Sequence, residues 1–232
     1  MTAKSGARRS ARRGWLLLLT TAVVGGTALA LPYVLLDVDA SRIQVRGEAH
    51  WILLLVHIFT AAVALVLGPL QFIPALRARH RLHRAVGRAY LLAGVLPAGL
   101  TGIPVALLAE HALTRVGLLI PAVGWLVTGA LAVRAARRRD FAAHRAWMMR
   151  NYALTFLAVT SRILVPLLLL AQFPFIGAMY GGSVPAAVDM TIPIGQWLGW
   201  IINLTIVEFL LRRERTRAIP GPQVSPETAR RA

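Results

Sequence analysis

Long apolar runs alternate with short polar connections along this chain. Six runs stand out, roughly Trp15–Leu36, Trp51–Pro74, Arg88–Ala109, Leu113–Val133, Trp147–Ala171 and Met190–Leu211, each about 20 residues or longer. At 1.5 Å per residue, helices of that length cross a hydrocarbon core of about 30 Å. Within each run the small and polar residues recur at helical spacing. In the second run His57, Thr60, Ala61, Ala64, Gly68 and Gln71 share one face. Comparable stripes are Tyr90, Gly94, Pro97 and Thr101; Gly117, Pro121, Gly124 and Thr128; Asn151, Thr155, Ala158 and Arg162; and Gln196, Gly199 and Asn203. Small residues let membrane helices approach closely, and polar ones find partners inside a bundle. The pattern predicts an all-α, polytopic bundle of about six transmembrane helices over 15–211. A basic tail, 1–14, precedes it. A basic, Pro-containing tail, 212–232, follows and is expected to be disordered.

Charge changes this picture by orienting it. The net charge is +17, and the tail 1–14 carries +5, the connection 75–88 +5, the connection 134–146 +4 and the tail from Arg212 +4. The intervening connections, 37–50 and 172–189, each sum to −1, and the turn with Glu110 and Arg115 is neutral. Every second connection is therefore strongly basic, and the positive-inside rule sets both termini in the cytoplasm. The expected location is the bacterial cytoplasmic membrane, with anionic lipid headgroups as the partner of the arginines. Such arginines cap helix ends on one membrane face, so the basic balance implies no nucleic-acid partner. Ala28-Leu29-Ala30 resembles a signal-peptide cleavage site. The run before it is longer than a usual signal core, and the segment is expected to be retained. The chain has no cysteine, which excludes disulfides, Cys-ligated metals and thiol catalysis.

Three polar residues form a candidate intramembrane site: His57, Gln71 and Arg162. Arg162 lies roughly 13 Å deep in the fifth run and His57 roughly 9 Å deep in the second, counted from the same face. An ionised side chain at that depth costs a few kcal/mol unless paired or wetted. Arg150 and Glu208, nearer the inner face, are expected to snorkel.

A second candidate site lies at the inner face, where two connections carry related text. His83-Arg84-Ala85-Val86-Gly87-Arg88-Ala89-Tyr90 compares with His144-Arg145-Ala146-Trp147-Met148-Met149-Arg150-Asn151-Tyr152. Each reads His-Arg, a spacer, then Arg-x-Tyr opening the next span, as in parallel repeats of one hairpin. The site residues are His83, Arg84, Arg88, Tyr90, His144, Arg145, Arg150 and Asn151. These two segments, with His57, Gly68-Pro69-Leu70-Gln71-Phe72, Asp140 and Arg162, resemble a family of prokaryotic multi-pass membrane proteins catalogued as domain of unknown function 2306. The resemblance covers the second to fifth runs. It implies a helical membrane protein and supplies no activity, cofactor or catalytic residue.

Three functional classes follow from the residues. A non-catalytic scaffold, sensor or assembly subunit demands the least chemistry and is the leading reading. A small-solute or proton-linked transporter would use His57 and Arg162, with Pro97, Pro104, Pro121, Pro166 and Pro193 freeing backbone carbonyls. A redox protein binding haem b or quinone would use His83 and His144 as the inner ligand pair, with His57 and His111 as a weaker outer pair. There is no HExxH, G-x-S-x-G or paired intramembrane carboxylate, so no catalytic residue is assigned.

Overall fold

The structure, a computed structural model, describes residues 14, 17–28, 30–38 and 45–218. It is 88% helix, with no strand among the described residues, so the all-α expectation holds. The helices are α1 (Leu17–Tyr33, shorter than a full span), α2 (Glu48–Leu70), α3 (Pro74–Ala78), α4 (His80–Ala89), α5 (Leu96–Leu107), α6 (Ala112–Arg137), α7 (Phe141–Thr155), α8 (Leu157–Gln172), α9 (Ile176–Tyr180) and α10 (Val184–Ala218). Among the described residues, five helical stretches are long and apolar enough to cross a membrane: Glu48–Leu70, His80–Leu107, Ala112–Arg137, Leu157–Tyr180 and Val184–Thr216. Much of their apolar surface faces outward, for example Leu92, Leu100, Leu167 and Leu170. In water such a surface would aggregate; against lipid tails it is the expected face.

Local chemistry sets the turns. Ile73 is extended because a proline follows it, and Pro74 opens α3. α6 ends in a Schellman turn: Asp140 N–H donates to the Ala135 carbonyl and Arg139 N–H to that of Ala136, both at 3.0 Å. Arg139 takes the left-handed position there, φ 60°, which glycine usually fills. Asp140 then caps α7 by accepting from Ala143 N–H at 2.9 Å. The two helices thus return antiparallel within a few residues.

The fifth apolar run departs from its expected form. Instead of one helix over Trp147–Ala171, α7 stops at Thr155 and α8 starts at Leu157. No proline lies at the break. There the Asn203 side chain donates to the Ala153 carbonyl at 3.0 Å and accepts from Thr160 Oγ1 at 2.9 Å. A side chain inserted into the helical hydrogen-bond ladder is a known cause of such kinks. The third run is also irregular: between α4 and α5 the chain widens into a π-helix, Tyr90–Val95. α10 is longer than its apolar run at both ends. It continues through Arg212–Ala218, so the C-terminal tail opens as helix rather than as disordered chain. Residues 1–13 and 219–232 lie outside the described residues, as do Trp15, Leu16 and Leu29 of the first run.

Small residues bring the helices together, as the stripes suggested. A Cβ on Gly94 would stand 2.9 Å from the Ala64 Cα, so α2 and the π-helix touch backbone to backbone. The core cluster around this contact includes Ala64, Tyr90, Val95, Ala98, Trp125, Met148, Tyr152 and Leu154.

Candidate functional site

α2, α5, α6, α7, α8 and α10 line a partly open cavity of about 250 Å³ in the half of the bundle away from the basic turns. Its walls are mainly apolar, from Leu54, Ile58, Ala61, Leu118, Pro121 and Leu157 among others. The polar groups in the lining are His57, Gln196, Ser161, Arg162, Trp125 and Thr155. Tyr33, at the end of α1, also reaches it and stacks at 5.9 Å on Trp51.

His57 is fixed by one bond. Its Nδ1 stands 2.8 Å from the Ala98 carbonyl oxygen. A carbonyl only accepts, so Nδ1 carries the proton and Nε2 is the acceptor of the neutral ring. Gly102, one turn along α5 from Ala98, clears space for the imidazole: a Cβ there would meet it at 2.9 Å. Gln196 Oε1 is buried with no hydrogen-bond partner among the described residues. Arg162 is exposed at the edge of the cavity, and its Nη1 donates back to the Ala158 carbonyl at 3.0 Å.

The cavity floor belongs to a hydrogen-bonded network. Trp125 Nε1 donates to Thr155 Oγ1 at 2.9 Å. Tyr90 OH donates to Asn151 Oδ1 at 2.6 Å and lies 2.9 Å from Thr155 Oγ1. Asn151 Nδ2 donates to the Trp125 carbonyl at 2.7 Å and lies 2.9 Å from Thr128 Oγ1. Tyr90 and Asn151 have no exposed surface at all. The network thus ties the π-helix, α6 and α7 together beneath the cavity.

Of the three residues expected in one intramembrane site, the structure brings together His57 and Arg162 but not Gln71. Gln71 caps α2 at the basic end, buried against α4, where a Cβ on Gly87 would stand 3.0 Å from its Oε1. It lies outside the cavity because α2 carries it two turns and more beyond Ala61.

The inner-face residues divide. Tyr90 and Asn151 enter the network. His83 and His144 lie at the basic end, outside the cavity lining. His144 Nδ1 donates to the Ala132 carbonyl at 2.9 Å, and His83 Nδ1 is buried with no hydrogen-bond partner among the described residues. Arg84 and Arg88 are exposed and bond back to carbonyls of α4. Arg145 and Arg150 do not form an open basic rim, because α10 supplies acids to both. Arg145 makes a bidentate pair with Glu214, and this hydrogen bonding raises its pKa. Arg150 meets Glu208 at 2.5 and 3.0 Å and stacks 4.6 Å over Trp147. Arg150 and Glu208 are therefore partners rather than separate snorkelling charges. His111, the expected outer partner of His57, is exposed at the N-cap of α6 and is absent from the cavity lining.

Sequence reading passed over Trp125 and Tyr33, which carry no charge and read as packing residues. Gln196 was visible only as a member of a stripe. A signal for Trp125 did exist, since it lies one turn from Thr128 on the polar face of α6.

The profile of a family described as predicted membrane protein (DUF2306) matches residues 54–211. The chain belongs to this family. No curated protein and no solved structure matches it. The DUF2306 region contains every residue of the cavity lining except Tyr33. Membership and the outward-facing apolar helices make this a multi-pass membrane protein.

Proposed function

We propose that this DUF2306 protein is a non-catalytic sensor in a bacterial cytoplasmic membrane, binding a small membrane-soluble molecule between His57, Gln196 and Arg162. The observation that carries this reading is the cavity of about 250 Å³ that brings His57, Gln196 and Arg162 into one mainly apolar lining. A dry engineered cavity of about 150 Å³ already takes up benzene, so this space suits a molecule of one or two rings. Mainly apolar walls with a few placed polar groups are the usual character of a ligand site. The floor favours binding over conduction, because Tyr90, Asn151, Thr155 and Trp125 close it with mutually satisfied hydrogen bonds. Under the positive-inside rule the basic end is cytoplasmic, which sets the cavity toward the outer leaflet.

The test is thermal unfolding of the detergent-purified protein against a panel of one- and two-ring alcohols, acids, ketones and hydrocarbons. A ligand at a hundred times its Kd adds about 2.7 kcal/mol of stability. At least one class is expected to stabilise the protein, and Ala61→Phe, which fills the cavity, is expected to abolish the effect. No stabilisation by any class, or stabilisation that survives Ala61→Phe, sinks the reading.

A further inference from the structure

We infer that the cavity fills sideways from the lipid, through the seam between α2 and α8, and that α1 is the gate across this seam. This rests on the cavity being a binding site. α2 and α8 supply two of its walls, α2 through Leu54, Ile58 and Ala61 and α8 through Leu157, Ala158 and Ser161. α1 bridges them. Its Ala22 is fully buried in one cluster with Leu65 of α2 and Val159 of α8. A Cβ on Gly25 would stand 2.8 Å from Val159 Cγ2, and one on Gly26 would stand 3.6 Å from Val66 Cγ2. Adjacent glycines thus seat one helix on both walls. Tyr33, at the end of the same helix, is buried in the cavity lining.

The surroundings of the seam are apolar. Arg162 is exposed at the cavity edge, and Ile163 and Leu167, its neighbours on α8, are exposed and apolar, so this edge belongs to the lipid-facing flank. On the far side of the contact between α1 and α2 runs an apolar groove, lined by Leu31 and Val34 of α1 and by Val63 and Val66 of α2. Ala62 lines both the groove and the cavity, so a single helix contact divides them. That contact is cheap to open. Lipid tails solvate an apolar helix face as well as a neighbouring helix does, so no hydrophobic attraction holds α1 in place. Gly26 meets α2 at ordinary van der Waals distance, whereas Gly25 is keyed closely onto Val159. α8 in turn takes its main support from α10, where Gly195 and Gly199 come up against Val165 and Leu157. The contact that parts is therefore that of α1 with α2, while α1 stays on α8.

The chain has no cysteine, so an introduced thiol is a clean reporter. Ser161→Cys places one in the cavity wall. Its labelling is timed in intact membranes with N-ethylmaleimide, which is small and lipid-soluble, and with a charged methanethiosulfonate, each relative to the exposed Gly177→Cys. Adding Gly26→Cys and Val66→Cys to the reporter protein lets a disulfide tie α1 to α2, and peptide mass spectrometry follows each thiol separately. The disulfide is expected to slow maleimide labelling of Ser161→Cys by about tenfold or more, because labelling tracks the population of the open form, and reduction is expected to restore it. Gly25→Leu, whose side chain would collide with Val159, is expected to loosen α1 and speed the labelling several-fold. An unchanged rate with the disulfide in place overturns the gate, as does failure of that disulfide to form. Equal relative rates for the charged and the lipid-soluble reagent overturn entry from lipid in favour of entry from water. No labelling by either reagent overturns the open seam altogether. Labelling needs no bound ligand, so these outcomes stand apart from the ligand panel with Ala61→Phe, which tests the binding site itself.

Discussion

Asn151 shows how much one buried amide organises. It accepts from Tyr90, donates to the Trp125 carbonyl and to Thr128, and has no exposed surface. Hydrogen bonds between membrane helices average only about 0.6 kcal/mol, because the unfolded chain in the membrane also finds partners. Removing one of them is therefore modest, and removing the hub is not. Tyr90→Phe is expected to cost about 1 kcal/mol and Asn151→Ala about 2 kcal/mol or more, read from reversible unfolding in micelles. Thr160→Ala, on the single bond to Asn203, is the control and should cost least. An Asn151→Ala variant no worse than that control would show that the network is not a stabilising unit. At this scale the sequence was partly legible. A histidine and an arginine at similar depth in apolar runs are conspicuous because charge and imidazole are costly there. Trp125 and Gln196 were not conspicuous, since an aromatic or an amide on a helix face reads equally as packing. Gln71 misled for a related reason. Helical spacing puts it on the His57 face, yet says nothing about how far along that face the cavity extends.

The elements were legible wherever composition alone decides them. α2, α6 and the core of α10 follow their apolar runs. Interruptions were not legible, because their causes lie on other helices. The break between α7 and α8 depends on Asn203, which is remote in sequence and reaches the Ala153 carbonyl only in the folded bundle. The quasi-repeat takes on structural content here: each His-Arg segment leads, at its tyrosine or shortly after it, into a helix irregularity, the π-helix opening at Tyr90 and the break at Phe156. The ion pairs between α7 and α10 belong to this scale too. Arg150–Glu208 has side-chain exposures of 19% and 40%, and Arg145–Glu214 has 45% and 48%. Solvent screens both, so a double-mutant cycle on Arg150 and Glu208 should give a coupling of about 0.5–1 kcal/mol, and one on Arg145 and Glu214 less. Both couplings should shrink in high salt. A coupling of zero in both cycles would mean that α10 is held by packing alone.

For the molecule as a whole, orientation is the property that sequence charge speaks to most directly. The natural absence of cysteine makes it easy to test. Arg81→Cys places a thiol among the basic turns, and Gly177→Cys places one in α9, where a side chain would meet nothing within 4 Å. In intact cells a membrane-impermeant maleimide should label Gly177→Cys, and should label Arg81→Cys only after permeabilisation. The reverse pattern would invert the protein and move the cavity to the cytoplasmic leaflet.

The π-helix at Tyr90–Val95 gives this span slack. A wide turn holds one residue more than an α-turn of the same rise, and α4 and α5 keep their own facing on either side of it. Loss of a single outward residue there, such as Leu92, would let the turn close as ordinary α-helix, with Ala98 still beneath His57. The same loss within α6 would rotate everything beyond it by about 100°. The third span can thus change length by a residue without losing its phase.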